Sequence, residues 1–277
     1  MKRKFIKRFS VILLVLTFIF TLTACSSKEE VKVDKNAKEI DLKAYKNNDF
    51  LITAQQVHKL QGSKDLVILD CNKPDLYAKE HIDGAISVGL HSFSDKVGKP
   101  GDPDWGTIKK KEDLKKALES LGIDNKKTVV FYSNVFKGPG ADGRAVWQLR
   151  MAGLKNVKLM VGGLTYWKKL GYEVNNKPVK PTPTSGVVLK DYDLTNSTNK
   201  EYVYNNLSKE VILDVRTEGE YKGSQKAGEP RGGHIKGAKN LVWTDILNKD
   251  GTPKSPEDIK KIMASVGVKP EDEFVVY

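Results

Sequence analysis

The feature that most constrains the fold of this chain is an internal repeat. Three short motifs occur twice and in the same order: LVILD (66–70) and VILD (211–214), HIDGA (81–85) and HIKGA (234–238), TVVFY (128–132) and EFVVY (273–277). Asp70 and Tyr132 are 62 residues apart, and Asp214 and Tyr277 are 63 residues apart. Separate motifs kept in order at matched spacing indicate a duplicated domain.

Within each copy, short apolar runs rich in β-branched residues alternate with amphipathic helical patterns. Thr53 and Gln56 form a capping box that predicts a helix before the first strand. The apolar spacing in 112–121 predicts another helix, and Ser255 followed by Pro256 predicts the start of its counterpart. This alternation predicts an α/β fold in which each copy has a central parallel sheet with helices on both faces.

The composition along the chain predicts five segments. They are a signal peptide (1–24), a lipidated polar and flexible tether (25–48), a first domain (49–177), a linker (178–186) and a second domain (187–277). Each domain is long enough to form its own core. The only other cysteine is Cys25, so Cys71 has no partner for an internal disulfide if Cys25 is lipidated.

The N-terminus is typical of a secretory signal. Five basic residues between positions 2 and 8 precede the uncharged run 11–22, which is too short to span a bilayer. The run ends in Leu22-Thr23-Ala24-Cys25, which resembles a bacterial lipobox. We expect an exported protein anchored to the membrane by lipid at Cys25, although an ordinary signal peptide that contains a cysteine is the alternative.

The net charge is +12, and five of these charges lie in the predicted signal peptide. The remaining excess is mostly lysine scattered along the chain, without a nucleic-acid-binding motif. The charge therefore indicates a solvated surface with some attraction for anionic membranes and substrates, and nucleic acid is not expected as a partner.

The second copy contains a specific combination of motifs. These are Asp214-Val215-Arg216, Glu220-Tyr221 and Gly233-His234-Ile235-Lys236-Gly237-Ala238. Together they closely resemble the front half of a rhodanese domain. The first copy resembles the full length of that domain, ending in Val161-Gly162-Gly163-Leu164 and Trp167. The chain is thus similar to the tandem-domain thiosulfate and 3-mercaptopyruvate sulfurtransferases from about residue 49 to 277.

This resemblance implies a sulfurtransferase that needs no metal and no organic cofactor. A cysteine in a loop between a parallel strand and a helix would take sulfur from a small sulfur-containing anion and form a persulfide. A thiol or cyanide would then accept the sulfur. By the same resemblance, Arg216 faces the anionic donor, but it could equally pair with Asp214 or Glu220.

The first copy departs from the family pattern at the nucleophile. Ser133 stands where the cysteine would be, and Asn72 stands where the second copy has Arg216. A serine hydroxyl is not a nucleophile at neutral pH without a base, so we expect this copy to be catalytically silent.

In the second copy the repeat places the nucleophile immediately after Tyr277, where the sequence ends. We therefore expect this domain to be incomplete, to be inactive in the 277-residue chain, and to expose part of its apolar sheet surface. One hypothesis is a selenocysteine encoded by UGA and read as a stop. A cloned or assembled fragment and a nonsense lesion are the alternatives.

Several other residues invite a chemical role. Cys71 is expected to fill the core between strand residues, and His81 and His234 to support the repeated turn. Asp70 and Asp214 are expected to anchor loop backbone, and Trp147, Trp167 and Trp243 to lie in the core.

Two functions remain in view: a lipid-anchored sulfurtransferase, and a non-catalytic rhodanese-like lipoprotein that binds an anion, a persulfide carrier or a protein. A related phosphatase would need Cys-x5-Arg, which the sequence lacks.

Overall fold

The computed structural model describes residues 32–100, 102, 105–225 and 229–277. The predicted signal peptide and Cys25 lie outside these residues. None of the helices in the described ranges has the length and apolar character that crossing a membrane requires.

The first repeat is built on a parallel sheet. Its strands are β1 (Leu51–Ile52), β2 (Leu66–Asp70), β3 (His81–Ile82), β4 (Ile86–Ser87), β5 (Ser94–Lys96), β6 (Trp105–Ile108), β7 (Thr128–Tyr132), β8 (Val157–Met160) and β9 (Val174–Asn175). Five of them form the main sheet in the order β1-β8-β7-β2-β4, with every neighbouring pair parallel. β3 pairs with β9, and β5 pairs with β6, as two antiparallel ribbons.

The helices of this repeat cover both faces of the sheet, as predicted. They are α1 (Ala54–Leu60), α2 (Pro74–Tyr77), α3 (Lys111–Ser120), α4 (Ala141–Met151) and α5 (Gly163–Lys169). Val129 and Phe131 of β7 pack with α3 and α4, whereas Val130 and Tyr132 pack with α1 and α5. The alternation of side chains along one strand thus supplies two separate cores.

The local helix signals are confirmed. Thr53 accepts a hydrogen bond from the Gln56 backbone N–H at 3.1 Å, and the Gln56 side chain accepts one from the Thr53 N–H at 3.2 Å. Ser255 accepts a hydrogen bond from the Asp258 N–H at 3.1 Å, with Pro256 in the first turn. These caps satisfy backbone donors that the helix itself leaves unpaired.

The second repeat carries the corresponding half of the sheet. Its elements are α6 (Lys200–Asn205), β10 (Val211–Asp214), α7 (Glu218–Tyr221), β11 (Lys239–Asn240), α8 (Pro256–Ser265) and β12 (Phe274–Val276). The strand order β11-β10-β12 repeats β4-β2-β7, again in parallel. Phe274 is 43% and Val276 54% exposed, whereas the corresponding Val129 and Phe131 are almost fully buried. The expected exposure of apolar sheet surface is therefore confirmed at β12.

The predicted linker and residues 32–48 of the predicted tether both contact the first repeat. The Glu119 carboxylate accepts hydrogen bonds from the N–H groups of Gly186 and Val187, so the linker is fixed to the first repeat. Ala37 and Ile40 pack against the core beneath α5. Apolar side chains of the predicted tether thus contact the first repeat at these two positions, while most of residues 32–48 are exposed.

Contacts between the two repeats include an ion pair and a hydrogen bond. Lys169 at the end of α5 pairs with Asp250 of the second repeat at 2.8 Å. The Tyr45 hydroxyl donates a hydrogen bond to the Lys254 carbonyl at 2.9 Å. Burial raises the pKa of Asp250, but the hydrogen bonds from Lys169 and Thr252 outweigh this and leave it below the usual value. The pair therefore stays ionised at neutral pH.

Replacing Lys169 with alanine is expected to weaken the interaction free energy between the two repeats by about 0.5–1 kcal/mol, the range for a partly exposed ion pair. Amide hydrogen exchange around Thr252 should become faster. Lys168→Ala is the matched control, because Lys168 pairs with Glu80 within the first repeat. Equal exchange around Thr252 in the two variants would contradict a role for Lys169 between the repeats.

Candidate active site

An aspartate–arginine pair lies at the carboxyl end of the central strand of the second repeat. Arg216 donates to Asp214 through its backbone N–H at 3.0 Å, through Nε at 3.0 Å and through Nη2 at 2.5 Å. The same Nη2 donates to the Gly233 carbonyl at 2.8 Å. Of the predicted partners, Arg216 thus pairs with Asp214. Glu220 instead completes a capping box with Thr217 at the start of α7.

Tyr277 is held beside this pair. Its N–H donates to the Leu213 carbonyl, and its own carbonyl accepts from the Val215 N–H, both at 3.1 Å. Its hydroxyl accepts a hydrogen bond from the Ile235 N–H at 2.9 Å. The Arg216 guanidinium lies 5.4 Å from the centre of the Tyr277 ring. Tyr277 therefore lies at the carboxyl edge of the sheet, where loops of parallel α/β proteins carry functional groups.

The repeated histidine turn has the same construction in both copies. The His234 ring stacks on Tyr221 at 3.7 Å, and its Nδ1 lies 2.8 Å from the Tyr221 carbonyl. His81 stacks on Tyr77 at 3.8 Å with the equivalent contact at 2.7 Å. Within the described ranges, no cluster of three or more histidine, cysteine or acidic side chains could hold a metal ion. Both histidines thus fix a turn.

In the first repeat, Ser133 occupies the position that follows Tyr132. It is almost fully buried, and its hydroxyl donates to Asp142 Oδ2 at 2.8 Å. Asp142, in the first turn of α4, also accepts from the Gly143 N–H at 3.0 Å. Burial raises the pKa of Asp142. The Asp142 carboxyl group therefore lies at the N-terminus of α4, which is the position where a helix would stabilise a thiolate. The only sequence signal for Asp142 is its place in the first turn after a glycine-rich loop.

The two repeats differ most at the aspartate that ends the central strand. Burial raises the pKa of Asp70, whose Oδ2 has no hydrogen-bond partner among the described residues. Burial also raises the pKa of Asp214, but the hydrogen bonds from Arg216 reverse the shift and lower it. Asn72, at the position of Arg216, instead accepts a hydrogen bond from the Asn134 N–H at 2.7 Å. The first copy thus has no guanidinium at the position of Arg216, and it has Ser133 where the family pattern predicts a cysteine.

Cys71 lies in the core between the sheet and α4, with 7% of its surface exposed. Burial, and then the charges of Asp142 and Asp70, raise the pKa of its thiol well above the usual value. A buried neutral thiol is a poor nucleophile, so the predicted core role is supported by both burial and charge.

Cys71→Ala is expected to cost about 1 kcal/mol of stability, since a small buried side chain is lost. It should leave any sulfurtransferase activity unchanged. In the native protein, a thiol reagent should label Cys71 only after denaturant is added. Rapid labelling of native protein would contradict the buried position.

A family model described as the rhodanese-like domain matches residues 53–170 and 199–277. Among curated proteins, the sulfur carrier protein TtuD of Thermus thermophilus is 31% identical over 60% of this chain and 61% of its own length. The thiosulfate sulfurtransferase of Bos taurus is 29% identical over 66% of this chain and 62% of its own length. The chain thus spans less than two thirds of these relatives.

Two solved structures share the fold. SseA from Escherichia coli, described among 3-mercaptopyruvate sulfotransferases, has a TM-score of 0.68 at 22% identity. The match covers 82% of this chain and 87% of that one. YnjE has a TM-score of 0.65 at 24% identity, covering 83% of this chain and 58% of that one. At these identities the structures support the architecture alone.

Proposed function

Because the chain belongs to the rhodanese-like domain family, we propose that its full-length product is a sulfurtransferase whose nucleophile immediately follows Tyr277. The observation that carries this proposal is the position of Tyr277. It directly follows β12 and lies beside the Asp214–Arg216 pair, as Tyr132 lies at the end of β7 immediately before Ser133. The relatives, which include thiosulfate sulfurtransferases and a sulfur carrier protein, support the same class of reaction.

The proposed reaction has two displacement steps. The thiolate or selenolate attacks the outer sulfur of thiosulfate, and sulfite leaves with the electron pair of the broken S–S bond. Cyanide or a thiol then attacks the bound outer sulfur and releases the enzyme nucleophile as an anion. Two displacements replace one difficult step, and the reaction as a whole uses no external oxidant or reductant.

Arg216 is proposed to contact the anionic donor. The hydrogen bonds that Arg216 donates to Asp214 and to the Gly233 carbonyl fix its guanidinium near Tyr277, so little side-chain freedom remains to be lost when the donor binds. In this arrangement Asp214 orients Arg216, and His234 holds the turn that contains the Gly233 carbonyl.

The nucleophile is proposed to be cysteine or selenocysteine. Reading the DNA past codon 277 distinguishes them. An in-frame UGA followed by a rhodanese loop and a Gly-Gly…Trp segment would support selenocysteine. A cysteine codon at this position would exclude selenocysteine and keep the proposed reaction. Unrelated downstream sequence would contradict both.

The activity test is a thiosulfate:cyanide sulfurtransferase assay on protein expressed past position 277. Serine at the nucleophile position should lower activity by at least about 1,000-fold, since a hydroxyl is not ionised at neutral pH. We expect no activity from residues 1–277 alone. Activity of that chain that is lost in Cys71→Ala would overturn the assignment. Inactivity of the extended, folded protein would favour the non-catalytic binding lipoprotein.

We also propose that the protein is exported and anchored by lipid at Cys25, on the sequence pattern alone. Cells grown with a labelled fatty acid should yield labelled protein, and Cys25→Ser should abolish the label. An unlabelled wild-type protein would contradict the anchor.

A further inference from the structure

The turn beside Arg216 contains an insertion that the first repeat lacks. His81 lies four residues after Tyr77, whereas His234 lies 13 residues after Tyr221, so the second repeat has nine additional residues here. The tyrosine and histidine rings nevertheless stack in the same way in both copies. The inserted residues must therefore leave the turn and return to it at nearly the same place.

Two glycines bring the ends of this insertion together. Gly223 follows α7 with φ of +118°. A Cβ atom added at Gly232 would overlap the Gly223 carbonyl oxygen, which is backbone and cannot swing away as a flexible side chain would. Only a glycine therefore allows this close approach, and the contact returns the chain to Gly233, directly before His234.

The backbone of Gly233 differs from that of its counterpart in the first repeat. Gly233 has φ of +102°, a conformation that favours glycine, and its carbonyl accepts the hydrogen bond from Arg216 Nη2 at 2.8 Å. Glu80 stands at the same place before His81 and does not have a positive φ. The repeat with Asn72 at the position of Arg216 thus has neither the glycine nor the insertion.

The contacts of Arg216 leave one guanidinium nitrogen for a ligand. Nε and Nη2 both donate to Asp214, and Nη2 also donates to Gly233. Within the part of the chain that the structure describes, Nη1 donates no hydrogen bond, and 26% of the Arg216 side chain is exposed. The groups that hold Nε and Nη2 therefore also set the direction of Nη1, because the guanidinium is planar.

We propose that the insertion positions Arg216 for the anionic donor. The contact between Gly223 and Gly232 and the left-handed backbone of Gly233 direct the Gly233 carbonyl to Nη2, and Nη1 is left to contact the donor. The identity of this ligand rests on the proposed function, whereas the positioning involves described residues alone. Gly232 and Gly233 are thus positioning residues, which act on the donor through Arg216.

NMR spectroscopy of the isotope-labelled 277-residue chain tests the positioning without any activity. Gly233→Ala should speed the exchange of the Arg216 Nε–H with water by about 10-fold, since alanine disfavours this φ and the guanidinium loses an acceptor. Gly237→Ala is the matched control. Gly237 lies in the same turn with φ of +84°, and a Cβ at either glycine would meet nothing within 4 Å. Equal exchange in the two variants would overturn the role of Gly233.

A second variant tests the closed ends of the insertion and does not depend on φ. Gly232 has no positive φ, so Gly232→Ala adds mainly the overlap with the Gly223 carbonyl. It should speed the Arg216 Nε–H exchange in the same direction, while the amides of Ile212 and Leu213 remain protected. If Gly233→Ala removes that protection by unfolding the repeat, Gly232→Ala decides. Exchange as slow as in the wild type would then contradict the proposal.

Kinetics of the protein expressed past position 277 test the consequence for the donor. Gly233→Ala should lower kcat/KM for thiosulfate about 10-fold and change kcat/KM for cyanide less than about 2-fold, because Arg216 contacts the donor. General damage to the fold would lower both values, and an equal fall in both would overturn the assignment to donor binding.

The two measurements separate the positioning from the proposed reaction. Faster Arg216 Nε–H exchange in Gly233→Ala, in an extended protein without sulfurtransferase activity, would support the positioning and contradict the reaction. Unchanged exchange in an active protein would overturn the positioning alone.

Discussion

Replacing Arg216 with asparagine, the residue that the first repeat carries at this position, is expected to lower the free energy of unfolding by about 2–3 kcal/mol at pH 7. Asp214 has no exposed side-chain surface, while 26% of the Arg216 side chain is exposed. Removing one partner of a fully buried pair costs about 3–5 kcal/mol, and the exposure of Arg216 lowers this figure. The loss comes mainly from the aspartate that is left without its guanidinium.

The pH dependence of this loss has a definite sign. In the wild type, burial raises the pKa of Asp214, but the hydrogen bonds from Arg216 lower it below the usual value. A lowered pKa stabilises the fold above about pH 4, and this contribution is lost as pH falls through the folded-state pKa. In Arg216→Asn the pKa should rise, as it does for Asp70. The two proteins should therefore differ most near pH 7 and least at acid pH, below the folded-state pKa of Asp214.

Amide hydrogen exchange of the β10 residues Ile212 and Leu213 at several pH values would measure this difference locally. Arg231→Asn, at an exposed arginine of the same repeat, is the control and should leave exchange unchanged. A destabilisation of Arg216→Asn that stays constant from pH 3 to pH 7 would contradict the electrostatic explanation. It would point to lost packing on the Tyr277 ring instead.

The sequence predicted the features that depend on neighbouring residues in the chain. The Thr53 capping box and the Ser255 cap form within one helical turn, so their partners are fixed by spacing. The repeat and the alternation of strands and helices likewise predicted a parallel sheet in each copy, and β2 pairs with β7 and β10 with β12 in parallel. Both kinds of signal can be read from the sequence, because the caps involve residues close together in the chain and the repeat motifs occur twice.

Other features depend on contacts that spacing does not reveal. Asp142 lies nine residues from Ser133, and only the turn into α4 brings the two side chains together. Tyr45, in a lysine-rich segment, reaches Lys254 more than 200 residues away. The sequence was enough to name the residues of the candidate site, whereas the structure was needed to identify Asp214 as the partner of Arg216.

The burial of the tryptophan side chains is another feature that the sequence did not predict correctly. Trp147, Trp167 and Trp243 were all predicted to lie in the core, but Trp147 is 46% exposed and Trp243 is only partly buried. Arg150 and Met151 of α4 line an open cleft with Trp147, so this end of the helix is not covered by another layer. Composition alone overestimates the burial of tryptophan because its large surface is rarely covered completely.

The largest expected change in stability is that of Trp167→Ala. Trp167 has no exposed surface, its Nε1 donates to the Glu173 carbonyl at 2.9 Å, and its ring contacts His58 and Tyr172. The cavity left by truncation and the unpaired carbonyl should together cost about 3–5 kcal/mol. Thermal unfolding followed by circular dichroism would show this as a clear fall in the melting temperature.

Trp147→Ala removes the same atoms from a half-exposed position and is expected to cost no more than about 1 kcal/mol. The comparison keeps the chemical change constant and varies only burial, so it measures how much the α5 layer contributes to the first repeat. Similar melting temperatures for the two variants would mean that Trp167 is not an essential part of that core. A large difference would show that the packing of α5, which begins beside Ser133, is an essential part of that core.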